Sequence, residues 1–157
     1  MLLRSATIVA WLCLTNLSSA AELAPEQAKL YAELESSLSG STLVGHFTVT
    51  GQESGNPKPE RYELISVKHV GDENWMFVAR IIYGDHDVKL PITLPVKWAG
   101  DTPVITVDKM AFPGLGTYTA RVMIYNEHYA GFWSGADHGG HLYGTVERAK
   151  ESSEAPK

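Results

Sequence analysis

Two short stretches of the chain concentrate histidine and carboxylate side chains. "GADHGGH" places Asp137, His138 and His141 around a pair of glycines, and "GDHDV" places Asp85, His86 and Asp87 in a similar setting. Imidazole and carboxylate groups are ligands for zinc, copper and non-haem iron. His86, His138, His141 and Asp137 are therefore candidate ligands for a transition metal, or for the iron of a haem. Asp, Asn and Gly are equally the residues of hairpin turns, where a histidine is simply hydrated, and no recognised zinc spacing is present. The two stretches make a site only if the fold brings them together.

A second resource is aromatic and cationic: Trp75, Phe77, Tyr83, Trp98, Phe112, Tyr118, Phe132, Trp133 and Tyr143, with Arg80 and Arg121. Inside a β-barrel, inward aromatics either line a cavity or fill it. Phe77, Trp98, Phe112 and Trp133 are candidate contacts for an apolar ligand. Arg80 interrupts "WMFVARIIY" and Arg121 interrupts "YTARVMIY". Turned inward, either would bind an anionic head group; turned outward, either would meet water or pair with Glu63 or Glu127. Catalytic signatures are weak. "GFWSG" sets Ser134 one place out of register for a nucleophile elbow, and no glycine loop precedes a helix to cradle phosphate. Binding rather than catalysis is the expectation.

The segment "MLLRSATIVAWLCLTNLSSA" has Arg4, an apolar run from Ala6 to Leu17, and small residues at Ser18 and Ala20. It reads as a signal peptide over 1–20, cleaved near Ala20, and the protein as secreted or periplasmic. The run is shorter than the roughly 20 residues of a membrane span, so stable insertion is not expected. Cys13 is the single cysteine, and the 137 residues after Ala20 must be held by burial alone. That length suits one domain. Without Arg4 there are 12 basic against 18 acidic residues, a net charge of −6. With no basic stripe, this balance argues against nucleic acid or an anionic membrane surface as partner.

"LAPEQAKLYAELESSLSG" has Pro25 in a first turn, Leu23, Leu30, Leu34 and Leu38 at helical spacing, and Gly40 as a stop. It predicts an amphipathic helix over 24–39 that packs as a plug or lid on the domain after it. From 41 to 149 the pattern changes to alternation, and a polar tail occupies 150–157. Eight strands are expected, near 42–50, 61–70, 75–83, 88–98, 104–109, 117–125, 128–134 and 141–148. In "VKLPITLPVKW" the two prolines, Pro91 and Pro95, have the same parity and remove N–H donors from one lateral side. The strand 88–98 should border a gap or a free edge, where a protein partner could pair. If successive strands pair as a meander, the longer glycine-rich turns gather at an open mouth and the compact turns at a closed base beside the helix. His86 and His138 would then share that mouth.

A helix followed by eight alternating strands resembles the calycin superfamily, the lipocalins and fatty-acid-binding proteins. "LVGHF" sets Gly45 and Phe47 where lipocalins show Gly-x-Trp, and Arg148 ends the last strand where they hold an arginine over that aromatic. Phe in place of Trp, the lack of a lipocalin disulfide and the absence of a second motif in strand six are departures. The resemblance implies a mainly β protein, an antiparallel up-and-down barrel around a cavity for a small apolar or amphipathic, lipid-like ligand. The alternatives are a metal- or haem-binding β domain using the mouth histidines, and a β-sandwich assembly module without a small ligand.

Overall fold

The computed structural model describes residues 24–51 and 56–148; residues 1–20, expected to be a signal peptide, Leu23 and the tail 150–157 lie outside them. The helix α1 (Pro25–Leu38) precedes β1 (Ser41–Phe47), β2 (Lys58–Gly71), β3 (Asn74–Tyr83), β4 (His86–Ala99), β5 (Thr102–Phe112), β6 (Gly116–Tyr125), β7 (His128–Ser134) and β8 (Gly139–Arg148). Each strand pairs antiparallel with the next, and β8 pairs back onto β1. The sheet is a closed up-and-down barrel, not a sandwich. Among the described residues no helix is long and apolar enough to cross a membrane.

Period-two alternation decides which side chains are inside. Leu64 and Val67 on β2, Trp75, Phe77, Ala79 and Ile81 on β3, and Ile92, Leu94 and Val96 on β4 are all buried. Burial of one such large apolar side chain contributes about 1.5–3 kcal/mol. The β6–β7 turn is the tight pair Asn126 and Glu127, both at positive φ (46° and 60°). That conformation matches the right-handed twist of the flanking strands and keeps this end compact.

At the base, β1 begins at Ser41, opposite Leu64, so the later part of β2 has no β1 partner on that edge. Unpaired edge groups must find partners elsewhere. The end of α1 and the link after it supply them. Gly40 N donates to the Leu64 carbonyl (2.8 Å). The Ser39 hydroxyl donates to the Val67 carbonyl (3.0 Å) and accepts from Val67 N (2.9 Å), and Glu35 accepts from His69 N (2.7 Å). The buried face of the helix is Tyr31, Leu34 and Leu38. Tyr31 sits edge-on to Trp75 (5.1 Å) and stacks on Trp98 (5.7 Å). The helix is a plug.

β4 pairs with β3 from His86 to Pro95, but with β5 at only four positions, Val96 to Ala99. The ladder to β5 begins just past Pro95, which has no N–H to give. The Thr106 hydroxyl instead donates to the Pro95 carbonyl (3.0 Å). β5 runs beyond the expected end at Lys109. A bulge between Val107 and Met110, with Lys109 at φ 45°, shifts the alternation and brings Met110 and Phe112 against the core.

The lipocalin-like motif is not reproduced in space. Phe47 lies opposite Leu142 and packs edge-on to Trp133 (5.9 Å), whereas Arg148 pairs with Ser41 at the other end of β1. Antiparallel pairing forces this separation, because the end of β1 meets the start of β8.

Leu38 is 0% exposed, so Leu38→Ala should cost about 2–5 kcal/mol in urea unfolding. Ser39→Ala strands one backbone donor and one acceptor and should cost about 1–3 kcal/mol. A loss below about 0.5 kcal/mol for Leu38→Ala, the scale of a neutral surface change, would show that the helix does not belong to the cooperative core.

Candidate functional site

Beyond the Tyr31–Trp75 plug the barrel encloses a cavity of about 490 Å³ that reaches the mouth. Its wall includes Leu43, Leu64, Phe77, Ile92, Ile105 and Leu142, and its mouth end Phe47, Phe112, Tyr118, Trp133, His86 and His138. The rim aromatics hold one another. Trp133 lies 6.2 Å from Tyr118 and edge-on to His138 at 5.3 Å, and Tyr118 lies 6.1 Å from Phe112. The Trp133 indole N–H donates to the Thr48 carbonyl (3.2 Å), which orients the ring.

Of the aromatics expected to meet a ligand, Phe77, Phe112 and Trp133 line this cavity. Trp98 does not; it belongs to the base, beside a smaller hollow of about 200 Å³ between the helix and the base turns. Neither arginine turns inward. Arg80 alternates with the buried Ala79 and Ile81 and grips Asp87 through two hydrogen bonds (2.7 and 2.6 Å), with Glu63 at 3.4 Å. Arg121 donates to the Val107 carbonyl at the β5 bulge (2.9 Å), to the Ala120 carbonyl (2.8 Å) and to Asp108 (2.7 Å). Its partner is Asp108 rather than Glu127. Strand parity sends both guanidinium groups to the water side, where their charge is not desolvated.

The two histidine-bearing turns share the mouth, as a meander requires, and His86 and His138 line the same cavity. Convergence stops there. The His138 Nδ1 lies 2.6 Å from Asp137 Oδ1, and this hydrogen bond holds the Asp137 carboxyl below its usual range. His141 is on the outer face, its Nδ1 3.3 Å from the Thr48 hydroxyl and its ring 5.1 Å from Phe132. A spacing of three residues at the start of a strand sends the two imidazoles to different sides. Among the described residues no group of three or more His, Cys, Asp or Glu side chains is arranged to hold a metal ion, and of the four candidates only His86 and His138 line the cavity.

A different polar group occupies the interior. Glu60 is 5% exposed and forms part of the cavity wall. The Tyr62 hydroxyl donates to its Oε2 (2.7 Å) and the Tyr129 hydroxyl to its Oε1 (2.9 Å). One lateral row makes this possible: Glu60 lies opposite Gly45, Gly45 opposite Gly144, and Gly144 opposite Tyr129. Tyr129 reaches across both glycines. A Cβ on Gly45 would run into the Tyr129 hydroxyl, and one on Gly144 would lie 2.7 Å from the Tyr129 ring.

Burial pushes the Glu60 carboxyl above its ordinary value, against the opposing pull of the two tyrosine hydroxyls and of His46. The Tyr129 hydroxyl is also pushed up, first by burial and then by the charge of Glu60. Sequence reasoning passed over Glu60 because "PERYELI" carries charges on both parities, Glu60 with Tyr62 and Arg61 with Glu63. Only the partners across the barrel decide which parity faces in. Comparisons of the chain with protein-family models, with curated proteins and with solved structures each gave no match.

A carboxyl whose folded pKa stands above its unfolded value of 4.5 binds its proton more tightly in the folded state. Its contribution to stability is therefore greatest below pH 4.5 and falls as pH rises toward the raised folded value. Glu60→Gln removes this fall. The difference in unfolding free energy, wild type minus variant, should decline with pH above 4.5, with a slope no steeper than about 1.4 kcal/mol per pH unit for one proton. Urea titrations from mildly acidic to mildly alkaline pH read it directly; a flat difference would mean that Glu60 is not desolvated.

Proposed function

We propose that this chain is an exported binding protein that carries one small apolar or amphipathic molecule inside its barrel. The observation that carries the reading is the cavity of about 490 Å³, walled by aliphatic and aromatic side chains and open at one end. Sites for small molecules span about 300–1,000 Å³ and are mainly apolar with a few placed polar groups. Burial of apolar surface would supply the affinity, at roughly 25 cal/mol per Å² removed from water. Phe77, Phe112 and Trp133 are the contacts we assign, the last two at the mouth. The amino-terminal sequence "MLLRSATIVAWLCLTNLSSA" supports export.

The test uses a neutral apolar fluorophore, N-phenyl-1-naphthylamine. It should bind saturably with one-to-one stoichiometry and change the emission of Trp133. Ala120 faces the cavity, and Ala120→Phe should place a ring in that space and weaken binding about tenfold or more, equivalent to about 1.4 kcal/mol or more. Circular dichroism checks that the variant keeps its fold. Non-saturable binding, or equal affinity in a folded Ala120→Phe variant, would reject an interior site.

A further inference from the structure

Resting on the cavity reading above, we infer that the molecule held in the barrel is a cationic amphiphile, whose protonated amine is received by the Glu60 carboxylate while its apolar part fills the rest of the cavity. The inference begins from an imbalance of charge. Glu60 is more than nine-tenths buried, and its partners are two neutral hydroxyls, one on each oxygen. Each tyrosine has a single proton to donate, whereas a carboxylate accepts about four hydrogen bonds. About half of its accepting capacity is left.

No lysine, arginine or histidine among the described residues forms an ion pair with it, although the charge of His46 acts on it from a distance. Arg80 and Arg121 lie on the outer surface and are engaged with Asp87 and Asp108. Lys58 is exposed at the mouth end of β2, where it lines the cavity two residues before Glu60 without pairing with it, and His46 is on the outward parity of β1. Among the described residues Glu60 makes no ion pair. A buried carboxylate is costly unless paired and hydrogen-bonded. An ammonium group brought in by a ligand supplies both the opposite charge and N–H donors.

Other head groups fit less well. A ligand carboxylate placed at Glu60 would bind only if a proton were taken up to relieve the repulsion; of the charged groups on the same lining, Lys58 would attract it and Asp85 repel it, and Lys58 is exposed at the mouth end. A neutral hydroxyl could donate one hydrogen bond but would leave the charge unbalanced. Hydrogen bonds to charged groups are stronger than those between neutral ones, so the amine should be favoured by about tenfold or more over a matched alcohol.

The experiment compares three amphiphiles of equal chain length: dodecylammonium, dodecanol and dodecanoate. Each displaces N-phenyl-1-naphthylamine from the full chain at neutral pH and physiological salt, below its own aggregation concentration. Dodecylammonium should bind about tenfold or more tightly than either of the others. Glu60→Gln should remove that preference and retain dodecanol binding. Glu147→Gln, at an exposed position on β8, should leave the preference intact, which separates Glu60 from the general acidity of the chain. Equal affinity for amine and alcohol, preference for dodecanoate, or an amine preference that survives Glu60→Gln would overturn this inference while leaving the cavity reading standing. Failure of all three, and of the fluorophore, to bind would defeat the cavity reading itself. If Glu60→Gln does not fold, equal affinity for amine and alcohol or a preference for dodecanoate on the wild-type chain still overturns the inference.

Discussion

Closure of the sheet through β1 governs both what the barrel can hold and how its ends are built. The seven residues of that strand carry two ladders at once, to β2 on one side and to β8 on the other. Closure removes the free edges of an antiparallel sheet and gives the inward side chains a shared interior. Near the middle of β1 is Gly45, facing Gly144 on β8, and the Tyr129 side chain occupies the space that two further side chains would have taken. The tyrosine therefore covers the glycine seam and ties β7 to β2 through Glu60. Interior volume and interior polarity are set by the same contact.

Two stretches of strand escape that closure, and each is handled locally. The free edge of β2 at the base is met by Glu35, Ser39 and Gly40. The interruption between β4 and β5 is bridged by Thr106. The consequence is a barrel with unlike ends. The base is packed with Tyr31, Trp75 and Trp98, and among the described residues the two indole N–H groups there are buried without a partner. Each such donor costs about 1–3 kcal/mol, which the dense aromatic packing offsets. The mouth is ringed by aromatics but left hollow.

Much of this was legible from residue order. Alternation from residue 41 onward and short polar turns led to eight strands, and pairing them as a meander put His86 and His138 at one end. The equal parity of Pro91 and Pro95 located the weak border with β5, because a missing N–H is a property of the residue itself. The bulge at Lys109 was not legible, since it depends on how Thr119 and Arg121 receive the backbone around it. The inward alternative for the arginines and the convergence of His86, Asp137, His138 and His141 are not reproduced, for a common reason. Each assumed that residues close in type or position converge, and strand parity sent Arg80, Arg121 and His141 to the outer face.

Residue order alone therefore indicates one amphipathic helix and eight alternating strands, while their order of pairing and the closure that distinguishes a barrel from a sandwich come from the structure. The helix and the strands follow from periodicity and from the chemistry of proline and glycine within a few residues. That Glu60 is buried, that Tyr129 crosses Gly144 and Gly45 to reach it, and that an open cavity lies beside them are decided only in three dimensions. The physical reason is that those properties belong to residues on four different strands, brought into one lateral row only when β8 closes on β1. A carboxylate in "PERYELI" is an ordinary surface charge until three other strands remove it from water.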